Sequence, residues 1–332
     1  MRAVVLVGGV GTRLRPLTNT VPKPMLPVGH VPMISRLVAR LGRGGVSEVV
    51  LALGFKPEPF MEAFPDGRCG DVGLRYVVEP EPLDTGGAIR FAADEAGIDD
   101  TFVVANGDVM TDLDVGALVD AHRRFESEAT IHLIGVEDPS AFGVVGLDDD
   151  GRVRAFVEKP RPGDEPSNLV NAGTYVFEPA VLDRIPAGRK VSVERDVFPG
   201  IAADGALYGV PTDDYWLDAG RPDLYRAANL DLLGDRRVHD RCEPIAVTST
   251  VDPASTVTNS IVGERAVVGA GARVVDSVLL PDAVVEAGAS VTRSLVMGIV
   301  GRDADVVDSM VGSDGHVADG VRLHDGTVPE TD

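Results

Sequence analysis

The sequence predicts an α/β domain with a mainly parallel sheet, followed by a short left-handed β-helix. Apolar, strand-like runs alternate with amphipathic stretches from residue 1 to about 235. Charged and turn-forming residues then replace this pattern around Asp235–Pro253, and beyond it aliphatic residues recur every six positions. We therefore expect a first domain over 1–235, a linker over 236–250 and a repeat domain over 251–332.

The alternation in the first domain indicates β-α-β units, because parallel strands need a crossover connection between them. The predicted strands are short, apolar runs with β-branched residues: Ala3–Val7, Glu48–Leu53, Leu74–Val78, Phe102–Ala105, Thr130–Val136 and Thr174–Phe177. The predicted helices between and after them are amphipathic: Met33–Leu41, Gly86–Ala96, Leu113–Phe125 and Pro222–Leu233. We expect the last of these helices to close the domain.

The repeat is typical of a three-sided β-helix, with an aliphatic side chain inside each face and a small residue at each corner. The aliphatic positions are Val262, Val268, Val274, Leu279, Val285, Val291, Val300 and Val306. The small residues are Ala266, Ala272, Ala283, Ala289 and Ala304. Because the phase slips between blocks, we expect few and irregular coils, with a loose antiparallel tail as the alternative. So few coils favour a role in homo-oligomer assembly over acyl transfer.

Composition excludes several classes of function. The net charge of −21 repels nucleic acid and anionic membranes, so a phosphate site must carry its own local positive charge. No apolar stretch approaches the roughly 18 residues of a membrane span, and the chain starts with a predicted strand rather than a signal peptide. Two cysteines do not suggest a disulfide framework. We therefore expect a cytoplasmic protein.

A glycine-rich segment directly follows the first predicted strand. Gly8, Gly9 and Gly11 can bring backbone N–H groups close to a phosphate chain, and Thr12-Arg13 and Lys23 follow them. Leu14 stands where a dinucleotide fingerprint requires its third glycine, and no Walker A sequence occurs. The segment therefore indicates a nucleoside triphosphate site of another kind.

Lysine is scarce in this chain, and its positions are informative. Only Lys23, Lys56, Lys159 and Lys190 occur, against 27 arginines. Two of the four lysines lie in recognisable motifs, which indicates positions where a compact ammonium group is needed.

The glycine-rich segment, continued by Pro16-Leu17-Thr18 and Pro22-Lys23-Pro24, resembles the signature of the sugar-1-phosphate nucleotidylyltransferases. These enzymes make nucleoside diphosphate sugars from a nucleoside triphosphate and a sugar 1-phosphate. The resemblance implies a Rossmann-like nucleotidyltransferase domain in which Gly8, Gly9, Gly11 and Thr12 bind nucleotide. It also implies that Arg13 holds the β- and γ-phosphates and that Lys23 bridges the nucleotide and the reacting phosphorus.

Two aspartates are candidate Mg²⁺ ligands and catalytic residues. Asp108 follows a predicted strand in Asn106-Gly107-Asp108, and Asp218 lies in Trp216-Leu217-Asp218-Ala219-Gly220. Carboxylates that face a triphosphate suit Mg²⁺, since phosphate oxygens complete its octahedron. Taken alone, each aspartate also fits an ordinary turn. The resemblance favours the metal, because the family places its metal ligands in such segments.

Further motifs imply sites for the sugar phosphate and for the base. By resemblance, Lys159 binds the sugar 1-phosphate, and Gly143, Glu158, Asn171 and Gly173 meet the sugar. Thr85, Gly86 and Asp108 are further nucleotide contacts, and Glu79 stands where thymidylyltransferases carry Gln. A carboxylate there suits the N1–H and N2 amine of guanine.

The motifs come in the family's order along nearly the whole chain. The Leu-Val-Gly-Gly start, Ser192–Pro199 and the repeat most resemble the mannose-1-phosphate guanylyltransferases, which implies GTP and mannose 1-phosphate as substrates. A glucose-1-phosphate thymidylyl- or uridylyltransferase is the first alternative. The second is a non-catalytic regulatory subunit that binds the nucleotide sugar, although all five charged motif residues are present.

Overall fold

The computed structural model of the chain describes residues 1–9, 11–54, 57–234, 237 and 240–330. Several residues that the sequence analysis singled out lie outside these ranges: Val10 of the glycine-rich segment, Lys56, and Asp235, Arg236, Val238 and His239 around the predicted linker.

Two compact units divide the chain, and each is made from two segments. The first unit comprises Met1–Gly9 and Ile34–Trp216. The second comprises Val10–Met33 and Leu217–Asp332. The first strand and the segment Val10–Met33, which follows it and is called the charged segment below, therefore belong to different units. The domain limits near residues 235 and 251, and assembly through the repeat, stay predictions.

Fourteen strands precede the repeat in the described residues. In chain order, β1 to β14 are Arg2–Leu6, Pro27–Val28, Val31–Pro32, Glu48–Leu53, Arg68–Cys69, Val72–Val78, Phe102–Asn106, Val109–Thr111, Ala129–Gly135, Gly143–Leu147, Val153–Glu158, Leu169–Phe177, Leu207–Thr212 and Trp216–Asp218. The described helices α1 to α7 are Met33–Arg43, Glu58–Ala63, Asp84–Ala96, Val115–Phe125, Ala180–Asp183, Phe198–Ala203 and Pro222–Leu230.

The first unit is built on one mixed sheet. Strands β7, β1, β4 and β6 run parallel in that order, and their connections include α1 and α3. Ala3, Val4 and Val5 of β1 are fully buried, as expected for a central strand covered on both faces. On the far side of β7, β12 pairs antiparallel, and it is followed by the hairpin of β10 and β11. Strand β9 pairs antiparallel with β12 and parallel with β13.

Every predicted strand and helix is present, with ends that differ by a few residues. The α/β class is confirmed, but the sequence analysis did not include β10, β11 and β13. Strands β10 and β11 add an antiparallel hairpin, which needs only a short loop and no crossover helix, and β13 adds a parallel pair with β9.

The repeat forms a three-sided parallel β-helix in the second unit, consistent with the predicted left-handed β-helix. The first face contains β15, β18, β21, β24 and β27: Thr250–Val251, Val267–Val268, Val284–Val285, Ile299–Val300 and His316–Val317. The second contains β16, β19, β22, β25 and β28: Thr256–Thr258, Arg273–Val275, Ser290–Thr292, Asp305–Val307 and Arg322–His324. The third contains β17, β20, β23, β26 and β29: Ile261–Val262, Val278–Leu279, Leu295–Val296, Met310–Val311 and Thr327–Val328.

Coil length explains the phase slips in the repeat. Ile261 pairs with Val278, which is 17 residues later, and Val278 pairs with Leu295 after another 17. Leu295 pairs with Met310 after only 15 residues. Coils of 17 residues lose one position from three hexapeptides, and the 15-residue coil loses three. The predicted aliphatic and alanine positions are buried inside all the same.

A ladder of buried serines supports one edge of the β-helix. The Oγ atoms of Ser260, Ser277, Ser294 and Ser309 each accept the backbone N–H one coil further on, at 3.0–3.1 Å, and Gly326 provides the last of these N–H groups. Each hydroxyl also donates to the carbonyl two residues before it. The ladder pairs polar groups that burial would otherwise leave without water.

The third face of the β-helix is covered within its own unit. Ile261, Val278 and Leu295 alternate with interior side chains and therefore point outward, yet all three are buried. Helix α7 packs against β20, and Arg226 Nη1 of α7 donates to the Asp276 carbonyl over 3.1 Å. No helix in the described part of the chain has the length and apolar character to cross a membrane.

Candidate active site

Three short 3₁₀ turns arrange the charged segment of the second unit. They are Thr12–Leu14, Leu17–Asn19 and Lys23–Met25. Gly11, at a φ of 64°, begins the first turn in a left-handed conformation that glycine adopts at little cost. Its carbonyl accepts the Thr18 hydroxyl over 2.8 Å, and a Cβ on Gly11 would lie 3.1 Å from both Thr18 Cγ2 and Lys23 Cβ. The predicted Gly11 is thus packed directly against the backbone end of Lys23.

Arg13, Lys23 and Asp218 converge beside Gly220 in the second unit. A Cβ built on Gly220 would lie 2.9 Å from Arg13 Nη2, 2.9 Å from Asp218 Oδ1 and 3.2 Å from Lys23 Nζ. The ammonium of Lys23 lies 3.7 Å from Asp218 Oδ1. Absence of a side chain at residue 220 therefore leaves room for three charged groups to approach one point.

The electrostatics of this cluster suit an anion. The Lys23 side chain is only 7% exposed, and that of Asp218 is 30% exposed. Arg13 lies at the surface and adds a second positive charge beside the single carboxylate. Charges in a partly buried site interact more strongly than they do in water. The cluster can therefore bind phosphate groups in a chain whose net charge is strongly negative.

In the first unit, the glycine turn after β1 faces Glu79. Gly9 has open space where a Cβ would stand, so a ligand can approach its backbone. A Cβ on Gly8 would lie 3.6 Å from Glu79 Oε1. Glu79 is nearly buried, and its Oε2 accepts the Leu83 N–H over 2.9 Å. Burial raises the pKa of the Glu79 carboxyl, and the Leu83 N–H partly offsets the shift.

Thr85 and Gly86 lie in the first turn of α3 and hold a neighbouring segment. Thr85 Oγ1 donates to Glu194 Oε2 over 2.7 Å and accepts the Val193 N–H over 2.9 Å. Gly86 donates its N–H to the Val191 carbonyl over 2.8 Å, and a Cβ on Gly86 would lie 3.1 Å from that oxygen. In the structure, the two predicted nucleotide contacts fix the segment around Glu194.

Asp108 lies where the sequence placed it, between β7 and β8. The preceding Gly107 donates its N–H to the Leu6 carbonyl of β1 over 2.9 Å. A Cβ on Gly107 would lie 2.6 Å from Val7 Cγ1 and 2.8 Å from Leu6 O, so only glycine fits there. Gly107 thereby fixes the turn that carries the partly exposed Asp108.

Gly143, Glu158 and Lys159 form a group on the β10–β11 hairpin. Gly143 pairs with Glu158 across the strands, and a Cβ on Gly143 would lie 2.9 Å from Glu158 Oε2. Burial and the negative charge of Glu194 raise the pKa of Glu158, while Lys159 lowers it. Lys159 Nζ lies 3.5 Å from Glu158 Oε1 on a side chain that is 66% exposed. The group joins a half-buried carboxyl to an exposed positive charge.

Asn171 and Gly173 shape the middle of β12. Asn171 Oδ1 accepts the Gly173 N–H over 2.9 Å, and its Nδ2 donates to the Tyr175 hydroxyl over 2.9 Å. Gly173 has a φ of 75°, and a Cβ there would lie 2.7 Å from Asn106 Nδ2. Trp216 Nε1 donates to the carbonyl of Ala172 between them. Each of these contacts fixes a backbone or amide group that the sequence assigned to sugar binding.

Comparison with known proteins shows the family of this chain. The nucleotidyl transferase family model matches residues 2–234. The chain belongs to the nucleotidyl transferase family. It is 42% identical over 288 residues to a mannose-1-phosphate guanylyltransferase of Mycobacterium tuberculosis, covering 82% of this chain and 77% of that one. It is 37% identical to the Schizosaccharomyces pombe mannose-1-phosphate guanyltransferase, covering 77% and 73% of the two chains.

A solved structure shares the same fold. The structure of HddC from Yersinia pseudotuberculosis complexed with GMP-PN matches with a TM-score of 0.59 and 29% identity. The match covers 69% of this nucleotidyl transferase and 97% of HddC. The recognition of the family from the sequence is therefore confirmed.

Two residues of this nucleotidyl transferase contact candidate site residues, and the sequence analysis did not assign them. Gly220 makes room for the cluster of Arg13, Lys23 and Asp218. Glu194 binds the hydroxyls of Thr85 and Ser192 and raises the pKa of Glu158. Gly220 lies within the quoted Trp216–Gly220 motif, which was a signal for it. Nothing local in the sequence indicates that Glu194 lies near Glu158.

Proposed function

We propose that the protein transfers a guanylyl group from GTP to mannose 1-phosphate, giving GDP-mannose and pyrophosphate. The names of the curated relatives support both substrates. The convergence of Arg13, Lys23 and Asp218 beside Gly220 is the structural observation that carries the proposal. Two cations at one point provide the local positive charge that a triphosphate needs in an acidic protein.

The reaction needs little proton transfer by the protein. A phosphate monoester has a second pKa of about 6, so the attacking oxygen of the sugar phosphate is already largely ionised at neutral pH. The protein has to orient two polyanions and stabilise the departing pyrophosphate. In this proposal Arg13 holds the β- and γ-phosphates, and Lys23 holds the phosphate at which the bond changes.

The donor chemistry fits Mg²⁺, with Asp108 and Asp218 as proposed ligands. Within the described ranges, no group of three or more His, Cys, Asp and Glu side chains is placed to hold a metal ion. That is compatible with Mg²⁺, which is commonly bound through one or two carboxylates together with substrate phosphates. When bound, Mg²⁺ neutralises charge on the triphosphate.

The sugar phosphate is assigned to the hairpin and strand of the first unit. Lys159, on its exposed stem, binds the phosphate. Gly143 and Gly173 let the side chains of Glu158 and Asn106 approach the backbone closely. In this proposal the sugar meets the two glycines through their backbone, and Glu158 and Asn171 accept or donate hydrogen bonds at its hydroxyls. The raised pKa of Glu158 makes its carboxyl more readily protonated than that of an ordinary glutamate.

Guanine selection is assigned to Glu79. One of its oxygens accepts a hydrogen bond from the Leu83 N–H, and the other faces Gly8. An unpaired buried carboxylate costs about 1–3 kcal/mol or more, so a base without paired donors binds less well. The variant Glu79→Gln should therefore erode the preference for GTP over dTTP, measured as a ratio of kcat/KM values.

The test is a pyrophosphate-release assay with Mg²⁺, four nucleoside triphosphates and a panel of hexose 1-phosphates. We expect the highest kcat/KM for GTP with mannose 1-phosphate. A preference for dTTP or UTP with glucose 1-phosphate would favour the thymidylyl or uridylyl alternative. Binding of GDP-mannose without any pyrophosphate release would favour the regulatory subunit.

A further inference from the structure

A corner of the β-helix contacts the charged segment within the second unit. A Cβ built on Gly312 would lie 2.8 Å from Pro16 Cβ, 3.0 Å from Pro16 Cγ and 3.3 Å from Pro16 O. Next to it, Ser313 Oγ lies 3.2 Å from Thr20 Oγ1. Pro16 is three residues from Arg13, and Thr20 is three residues from Lys23. The corner therefore touches the stretch between the two cations.

The corner itself is held firmly by the last coils. Gly312 donates its N–H to the Val328 carbonyl over 2.8 Å, and its own carbonyl accepts the Gly315 N–H over 2.9 Å. From the coil before, Gly298 approaches so closely that a Cβ on it would lie 2.3 Å from Gly312 O. Because neighbouring coils fix the Gly312 backbone on both sides, it cannot easily yield to Pro16.

Glycine is required at residue 312 for a reason outside the β-helix. The equivalent positions after the other third-face strands are Gly263, Leu280, Met297 and Pro329, so three of these four hold large side chains. The three heavy atoms nearest to a Cβ added at Gly312 all belong to Pro16. The close approach of Pro16 therefore accounts for the missing side chain.

The rest of the charged segment has separate supports. The Gly29 N–H donates to Asn229 Oδ1 over 2.8 Å, and Tyr225 donates its hydroxyl to the Pro27 carbonyl. His30 Nε2 is within 2.7 Å of the Glu243 carbonyl oxygen. These contacts fix the segment beyond Lys23, whereas the Gly312–Ser313 corner supports the part that carries both cations.

We propose that the Gly312–Ser313 corner positions Arg13 and Lys23 for the nucleoside triphosphate, so that nucleotide binding and the order of the last β-helix coils are coupled. This inference rests on the proposed function only in assigning the triphosphate to these two cations. Coupling between two sites is reciprocal. A bound triphosphate must then stabilise residues 310–329, and a disturbed corner must weaken triphosphate binding.

The kinetic test compares Gly312→Ala with Gly263→Ala. Both add one methyl group after a third-face strand, and both meet close neighbours, but Gly263 meets only backbone of the next coil. We expect Gly312→Ala to raise the KM for GTP about tenfold, the scale of a displaced charged contact, and to leave the KM for mannose 1-phosphate within about twofold. Gly263→Ala should lower Tm without changing either KM.

Ser313→Ala removes only a hydroxyl group, so it still tests the proposal if the glycine variants misfold. It should raise the KM for GTP a few-fold, and combining it with Thr20→Val should add nothing further, because the two hydroxyls contact each other. Unchanged KM for GTP in both Gly312→Ala and Ser313→Ala would overturn the proposal. So would an equal rise in Gly263→Ala.

Hydrogen–deuterium exchange tests the coupling without turnover. With no sugar phosphate present, the triphosphate that binds most tightly of the four should slow amide exchange in residues 310–329 and leave residues 256–275 unchanged. This protection would support the inference even if the preferred substrates differ from GTP and mannose 1-phosphate. Saturating triphosphate with no slowing would overturn it while leaving the proposed function intact. Failure to bind any of the four would overturn both.

Discussion

The second unit holds the charged residues of the candidate site in a loop supported by distant parts of the chain, whereas the first unit carries its candidate site residues beside neighbouring strands. Lys23 and Lys159 illustrate the difference. The Lys23 side chain is 7% exposed, with its ammonium 3.7 Å from Asp218, but that of Lys159 is 66% exposed beside Glu158. A buried, preorganised cation needs little reorganisation during the reaction, while an exposed cation can move with a ligand that binds and dissociates.

The difference predicts unequal effects of charge removal. Lys23→Ala and Arg13→Ala should each lower kcat/KM by at least about 10²-fold, because each removes a preorganised electrostatic contact. The measurement is pyrophosphate release under saturating Mg²⁺. Lys190→Ala is the matched control, since Lys190 is exposed and lies outside the cluster. If both cluster variants keep near-wild-type turnover, the assignment of the triphosphate to this cluster is wrong.

Gly220→Ala should disturb the same cluster without removing a charge. The nearest atoms to the added methyl group are the ends of the Arg13, Lys23 and Asp218 side chains rather than backbone, so their displacement should cost little stability. Displacement of about 1 Å is enough to lower kcat/KM by up to about 10²-fold. Gly220→Ala should therefore lower kcat/KM while its Tm stays near that of the wild type. Gly234→Ala, which meets nothing within 4 Å, should change neither quantity.

Lys159→Ala should have a smaller and more selective effect. We expect the KM for mannose 1-phosphate to rise about tenfold, the scale of one hydrogen bond to a charged group, while the KM for GTP changes little. Arg154→Ala is a matched control, because Arg154 lies on β11, which Lys159 directly follows, and its side chain is also 66% exposed. A rise in the KM for GTP as large as that for the sugar phosphate would contradict the predicted difference between the two lysines.

The first unit also contains a buried histidine that makes stability depend on pH. Burial lowers the pKa of His132 to about 4 from its ordinary 6.5, and its Nε2 lies 2.8 Å from Thr212 Oγ1. The unfolded chain therefore binds the proton first, and stability falls as pH drops from about 6.5 through about 4. The loss attributable to His132 is at most about 3 kcal/mol.

Urea unfolding at pH 7.5 and pH 5 measures this effect. His132→Gln should reduce the difference between the two pH values, and His324→Gln, at an exposed position, should not. An unchanged pH dependence in His132→Gln would show that other groups carry it.

Sequence reasoning predicted best what is local. The buried strand Ala3–Val7 and the motifs around Asp108 and Lys159 depend on neighbouring residues, so their pattern survives in the sequence. The contacts of Pro16 with Gly312 and of Thr20 with Ser313 join residues almost 300 positions apart, and no local pattern encodes them. The sequence accordingly suggested assembly alone for the repeat, whereas the contacts also make it a support for the charged segment.

Thr85 illustrates a second limit of sequence reasoning. Its motif indicates a nucleotide contact, but its hydroxyl binds Glu194 and the Val193 N–H, which the sequence did not foretell. The residue types of the candidate site could be proposed from the sequence because phosphate and metal chemistry restrict them to cations and carboxylates. Their supports were not, since a Thr, Ser or Gly serves many structural purposes equally well.

The reverse reaction tests the central claim most directly. The protein, Mg²⁺, GDP-mannose and pyrophosphate are incubated together, and GTP and mannose 1-phosphate are quantified by mass spectrometry. Only nucleotidyl transfer regenerates a triphosphate from these compounds, so the account predicts GTP and mannose 1-phosphate in equal amounts, with about 10²-fold slower formation by Lys23→Ala. Hydrolysis of GDP-mannose to GDP or GMP without any GTP, or no reaction at all by a folded protein, would contradict it.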